Sequence, residues 1–279
     1  MVGEIFALLS SVFWGLNGIF VRKALQEVNP LSGTLFILSV NTLWLILLVL
    51  LDGTLSKDLH VGFESVAFLA LAGLIQQFMG RTMTYFSVHF IGSSRAYTGT
   101  STRIFFSAVL GMIILGEKPT TLVAVGSALM IFGLYIFTTE DVRREGLALS
   151  LAAGFMYGLA AILVKKGMIA ESVSLSNLIS LTSGVTALFL LAASKKKVRP
   201  EKISPYLFLS GTALFIGTYF YFLALSEIPV VIAVPLSNLY PIFTTFFSLL
   251  FIQSLERIAV RTVFGVVLTV FGATLVYVG

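Results

Sequence analysis

The chain has 279 residues, 57% of them hydrophobic and 11% charged, with a formal net charge of +5. A water-soluble domain carries about 25% charged residues to wet its surface, so this composition excludes one. The Lys and Arg are scattered through short connections and give no nucleic-acid footprint. The chain has no cysteine, which removes disulfides, thiolate metal sites and cysteine nucleophiles.

Apolar stretches recur to the end of the chain. In hydrocarbon no water satisfies backbone N–H and C=O groups, so only helices and closed barrels cross it. Stretches such as 125–137 and 243–252 do not alternate polar with apolar residues as barrel strands do. In chain order the reading gives ten transmembrane helices, over 4–24, 31–51, 64–86, 93–115, 119–138, 146–164, 174–193, 205–225, 229–252 and 260–278. The first lacks a basic leader and is too long for a signal-peptide core, so it is read as a retained span. Connections are short, as in Gly116-Glu117-Lys118-Pro119 and Ser226-Glu227-Ile228-Pro229. Pro119, Pro205 and Pro229 stand where a first helical turn begins, where the missing N–H costs nothing.

The pattern then repeats. Gly3, Trp14-Gly15-Leu16 and Arg22-Lys23 match Gly146, Tyr157-Gly158-Leu159 and Lys165-Lys166 at an offset of 143. Glu117, Gly126 and Phe132-Gly133 match Glu256, Gly265 and Phe271-Gly272 at an offset of 139. This divides an all-α membrane protein into two five-helix units, 1–140 and 141–279. An odd number of spans per unit forces opposite orientations, the inverted-repeat plan in which a substrate site lies between the units near the midplane. Ser11-xxx-Gly15 and Gly154-xxx-Gly158 are read as packing sites where helix backbones approach closely.

The Trp14-Gly15 and Tyr157-Gly158 pairs, the Leu239-Tyr240-Pro241 run, and Glu117 and Glu256 followed by Gly126 and Gly265 carry a resemblance. Taken in order, they resemble the EamA-type members of the drug/metabolite transporter superfamily, over nearly all of the chain. The resemblance implies a ten-span fold and movement of small metabolites, often amino acids or related compounds, outward. Two departures bear on substrate. The first half has Thr102-Arg103 where the second has Pro241-Ile242. The four-span multidrug relatives bind cations through a glutamate in their first helix, where this chain offers Trp14 and Asn17, which argues against a lipophilic cation.

Acidic residues fall in loops or near span ends, whereas Arg81, Arg95 and Arg103 fall within the third and fourth spans. A charge near the bilayer centre costs about 3 kcal/mol or more and marks a functional candidate. With a turn expected near residue 90, Arg95 can snorkel to the interface, whereas Arg103 is roughly 20 Å deep at 1.5 Å per residue. Gln77, Arg81 and Thr84 fall on one face at i, i+4, i+7, with Gln77 level with Arg103, and the stretch 97–103 is polar. An arginine fork suits a carboxylate or phosphate, so Arg103 is assigned the acidic group of an anionic or zwitterionic substrate. The second-half counterparts of Arg81, Arg95 and Arg103 at the same spacing are Phe220, Val234 and Ile242, without charge. There the ninth span holds Pro235 and Pro241, each of which breaks a helical hydrogen bond and is read as a hinge. Trp14, Asn17, Tyr97, Tyr157, Asn238 and Tyr240 complete the candidate substrate-binding set; Tyr219 and Tyr221 are read as interfacial, and Glu117 and Glu256 as structural.

The expected function is transport of a small polar metabolite by alternating access in the plasma membrane, with substrate and lipid as partners and no cofactor, metal or nucleic acid. No acid or histidine lies mid-span to relay protons, and no Walker A, HExxH or GxSxG sequence is present. The chain is therefore not read as an enzyme; a membrane receptor or scaffold, or an intramembrane lipid-modifying enzyme, is the alternative. Loops after odd-numbered spans carry most of the Lys and Arg, with 195–202 the densest. The positive-inside rule then puts both termini outside, whereas the resemblance implies termini inside.

Overall fold

The structure is a computed structural model. It describes residues 2–54, 61–136, 143–169, 172–251 and, near the C-terminus, 264, 265, 268, 271, 272, 274–276 and 278. The described residues form helices and no strand. They are α1 (Val2–Ala24), α2 (Pro30–Leu51), α3 (Phe63–Ile91), α4 (Ser93–Leu115), α5 (Thr121–Ile136), α6 (Arg144–Gly167), α7 (Val173–Ser194), α8 (Pro205–Glu227) and α9 (Val230–Phe251). Eight of these are long and apolar enough to cross a membrane, α5 being the shorter one. The tenth expected span and Glu256 fall mostly or wholly outside the described residues; those described between 264 and 278 are helical.

Large apolar side chains such as Leu51, Phe63, Ile113, Phe246 and Phe264 are exposed on the outside. In a soluble protein such a surface would aggregate, whereas in lipid it is matched to its solvent. The interior holds an unusual share of buried serine, threonine and asparagine.

Local chemistry sets the helix ends. Asn29 accepts the Leu31 N–H at 3.0 Å with Pro30 in the first turn, and Ser172 accepts the Leu175 N–H at 3.1 Å. Helix α3 runs to Ile91, five residues past the expected 86, and stops at Gly92 with φ +85°, a conformation glycine adopts without strain. Glu117, in the connection after α4, accepts the Val230 and Val231 N–H groups at 2.8 and 3.0 Å and so caps α9 from another element. On the other membrane face, Glu201 accepts the Asn29 N–H at 3.1 Å and pairs with Lys197. The Asn29 N–H, with further hydrogen bonds including that from Lys197, holds its carboxyl down at about 2.

Two long helices break in mid-span. Helix α9 splits into Val230–Ser237 and Tyr240–Phe251, with Pro235 inside the first piece and Pro241 second in the next. Helix α4 splits in the same way, into Ser93–Thr100 and a piece that restarts at Arg103, although it has no proline. Hydroxyls account for the second break: Thr98, Thr100, Ser101 and Thr102 all bond carbonyls three or four residues back, which competes with regular winding. Across both breaks the backbone tightens to i→i−3 bonds, Ser101 to Thr98 and Asn238 to Pro235, each 3.0 Å.

Packing crosses the chain's midpoint. Helix α1 lies against α8 and α9, and α6 lies against α3 and α4. The same contact recurs on both sides. Gly217 faces the Trp14 indole, and Gly80 faces the Tyr157 ring. Gly15 faces Phe243 and Thr244, and Gly158 faces Phe106 and Ser107. Arg22 donates to the Val88 carbonyl at 3.0 Å, and Lys165 to the Leu225 carbonyl at 2.5 Å. Helices α3 and α7 approach closely, and a methyl group on Gly73 would land on the Ser180 carbonyl oxygen. Gly73→Ala should therefore destabilise the protein by about 1–3 kcal/mol, the usual cost of overpacking. Thermal unfolding in detergent checks this, with Gly62→Ala, which meets open space at the start of α3, expected to cost less than Gly73→Ala.

Candidate functional site

Near the middle of the bundle, α1, α3, α4, α6 and α9 enclose a cavity lined by Trp14, Asn17, Gln76, Arg81, Tyr97, Arg103, Tyr157 and Tyr240. The volume a water-sized molecule can occupy in it is only about 20 Å³, so the side chains nearly close it. Seven of the nine residues assigned from sequence meet here, drawn from both halves of the chain.

The break in α4 places Arg103 at the start of a new helical piece, 4% exposed. Its guanidinium carbon lies 4.9 Å from the Trp14 ring, 5.4 Å from Tyr221 and 5.5 Å from Tyr240. Arg81, 6% exposed, lies 5.5 Å from the Tyr157 ring and 6.0 Å from Tyr85. Each such contact is worth on the order of 0.5–2 kcal/mol, whereas an unpaired buried ion costs several kcal/mol. The rings therefore only partly offset burial. Nε and Nη2 of Arg103 and Nε of Arg81 are buried without a hydrogen-bond partner among the described residues, none of whose carboxylates lines the cavity.

The rings are fixed by hydroxyl pairs. Tyr240 and Thr100 share a hydrogen bond of 2.6 Å, and Tyr157 and Thr84 one of 2.9 Å. Trp14 donates to Thr218 at 3.4 Å, and its ring meets that of Tyr240 edge-on at 5.9 Å. Asn17 accepts from Ser210 at 2.6 Å and donates to the Tyr85 hydroxyl at 3.3 Å. The Tyr97 hydroxyl, by contrast, is buried without a partner.

Two of the assigned residues stand elsewhere. Gln77 does not line the cavity; it packs by Gly184 of α7, and both amide atoms are unpartnered. The cause is a wide turn over Leu74–Gly80 in which bonds run i→i+5, so the Arg81 N–H reaches the Gln76 carbonyl. That puts Gln76, rather than Gln77, on the Arg81 face and removes the expected i, i+4 stripe. Asn238 is fully buried at the α9 break, also with an unpartnered amide, and is not a lining residue. Tyr221, read as interfacial, is buried and packs on Arg103 instead. Arg95 stands three residues past Gly92, close to the membrane face. Pro235 and Pro241 flank the α9 break, with Pro241 next to the lining Tyr240.

Asn17→Leu should strand the Ser210 and Tyr85 hydroxyls and cost about 1–3 kcal/mol of stability, the penalty for buried groups left unpaired. Unfolding in detergent measures it, and the double variant with Ser210→Ala should cost less than the sum of the two single changes.

A crystal structure of another protein matches this fold with a TM-score of 0.78 at 11% sequence identity, covering 99% of this chain and 96% of that one. At that identity the likeness is one of fold. An uncharacterized transporter from Clostridium kluyveri is 22% identical over 291 residues, covering 99% of this chain and 93% of that protein. The model of the EamA-like transporter family matches residues 1–139 and again 144–278. This integral, multi-pass membrane protein belongs to the EamA-like transporter family and is a membrane transporter.

Proposed function

We propose that the protein carries a small polar metabolite, anionic or zwitterionic, such as an amino acid or related compound. The observation that carries this reading is the pair of buried arginines, with Nε of Arg81 and Nε and Nη2 of Arg103 unpartnered, in a cavity that no carboxylate lines among the described residues. A guanidinium offers a planar fork of donors to a carboxylate or phosphate, and in this cavity the substrate is the natural anion. Arg103 binds its acidic group, with Trp14, Asn17, Tyr97, Tyr157 and Tyr240 forming the walls.

The proposed mechanism is alternating access between two inverted five-helix repeats, 1–140 and 141–279, the tenth helix included. The paired contacts support this reading: Gly217 with Trp14 has its counterpart in Gly80 with Tyr157. In that register Tyr240 corresponds to Arg103 and Thr218 to Arg81, rather than Ile242 and Phe220 as sequence spacing had them. The narrowness of the cavity fits a closed state, in which the walls must part for a substrate to enter. The breaks in α4 and α9 beside the cavity provide places to bend, with Pro235 and Pro241 as hinge residues.

Uptake into proteoliposomes of labelled anionic, zwitterionic and cationic metabolites tests the substrate class. Arg103→Ala should lower flux of anions or zwitterions by roughly tenfold or more, the loss of one charged hydrogen-bonding partner, with the protein still folded. Flux of cations alone, or flux untouched by the substitution, would overturn the arginine site.

The proposed location is the plasma membrane, with the basic face inside. Lys195, Lys196 and Arg199 are exposed on the face where α1, α3 and α7 end, and basic residues are retained on the cytoplasmic side. Both termini then lie outside. A reporter fused to the C-terminus should be active only in the external compartment; cytoplasmic activity would reverse the orientation.

A further inference from the structure

The cavity holds two cationic side chains in one small space. Arg81 and Arg103 come from different helices, each is at least nine-tenths buried, and both line the same narrow cavity. Among the described residues no carboxylate lines it. Like charges enclosed together repel, and an uncompensated ion in a low-dielectric interior is strongly disfavoured. The aromatic faces of Trp14 and Tyr240 are turned to Arg103 and that of Tyr157 to Arg81. They soften the charge without cancelling it.

The remaining polar groups bear on what else a substrate could carry. An ammonium group needs acceptors. The Asn17 oxygen accepts from Ser210 and Tyr85, and the Tyr157 and Tyr240 hydroxyls donate to Thr84 and Thr100, so the acceptors that remain are neutral lone pairs and none brings a negative charge to an ammonium group. Among the lining side chains, the Gln76 carbonyl oxygen is the acceptor recorded as buried and unpartnered, and it is neutral. Donors are in surplus: Nε and Nη2 of Arg103, Nε of Arg81 and the Tyr97 hydroxyl all lack partners. A zwitterion would neutralise one arginine and bring a further positive charge beside the other. A monoanion would leave one arginine uncompensated.

We infer that the substrate is a small dianion, a short dicarboxylate or a phosphomonoester, held with one anionic group or face at Arg103 and the other at Arg81. This rests on the proposal that the cavity is the substrate site. It narrows that proposal from anionic or zwitterionic metabolites to those carrying two negative charges. Tyr97 donates to the bound anion and Gln76 orients its uncharged part. Arg81 sets the charge preference, since it is the residue that a monoanion or zwitterion leaves unmatched.

The test compares molecules of similar length and different charge at neutral pH: succinate, glycerol phosphate, propanesulfonate and γ-aminobutyrate, each measured for uptake into proteoliposomes against empty vesicles. Wild type should carry succinate or glycerol phosphate on the order of tenfold faster than the monoanion or zwitterion, the discrimination one unmatched charged partner gives. Arg81→Gln should lose most dianion flux and carry propanesulfonate in preference. If wild type carries propanesulfonate or γ-aminobutyrate as fast as the dianions or faster, the dianion inference is overturned, while the arginine site stands. If no anion or zwitterion moves at all, both fall. Should Arg81→Gln fail to fold, the selectivity of the wild type decides alone.

Discussion

A guanidinium cannot shed its charge, and this protein keeps two of them inside a bundle whose outer surface is hydrocarbon. That constraint organises the centre of the molecule. Arg103 is surrounded by Trp14, Tyr221 and Tyr240, and Arg81 lies between Tyr85 and Tyr157. These rings in turn need partners for their polar ends, which Thr218, Thr100, Asn17 and Thr84 supply. The chain of dependence runs from charge to ring, from ring to hydroxyl, and from hydroxyl to the helices that present it. It ends at an incomplete place, since several arginine N–H groups have no protein acceptor.

Glycine provides the room. A membrane bundle gains little from excluding water between helices, so close van der Waals packing must hold it. Trp14 and Tyr157 each press on a glycine of a facing helix, Gly217 and Gly80. The large rings thereby reach the centre without forcing the helices apart. The same economy of space keeps the cavity narrow. Elsewhere a carboxylate fastens helices from different regions of the chain, as Glu117 does at the start of α9.

Much of the site is legible in the sequence because polar side chains in apolar spans stand out. Arg81, Arg103, Trp14, Asn17, Tyr97, Tyr157 and Tyr240 all announce themselves by type and depth. Errors arise where backbone geometry departs from the regular helix. Gln77 is assigned by a period of 3.6, and the wide turn at Leu74–Gly80 puts Gln76 in its place. The break in α4 carries no proline to signal it; the visible sign is the run Thr98-Gly99-Thr100-Ser101-Thr102, whose hydroxyls turn back on their own carbonyls. Tyr221 is missed because tyrosine is common at membrane interfaces, and only its packing on Arg103 reveals otherwise. Eight of the ten expected spans are found among the described residues, since length and hydropathy fix them, although α3 runs on to a glycine that hydropathy does not weigh.

The wide turn in α3 also has a bearing on how the cavity tolerates change in chain length. A turn of i→i+5 bonds amounts to one residue inserted into an α-helix. Downstream of it lie Arg81, Thr84 and Tyr85, all turned inward. Removing a single residue within Leu74–Gly80 would let the helix close to its ordinary winding and rotate one half against the other by about 100°. Arg81 would turn away from the cavity and from the Tyr157 ring on α6, though no lining residue beyond the turn had been altered. Which side chains α3 offers to the cavity is thus fixed by counting residues as well as by their kind.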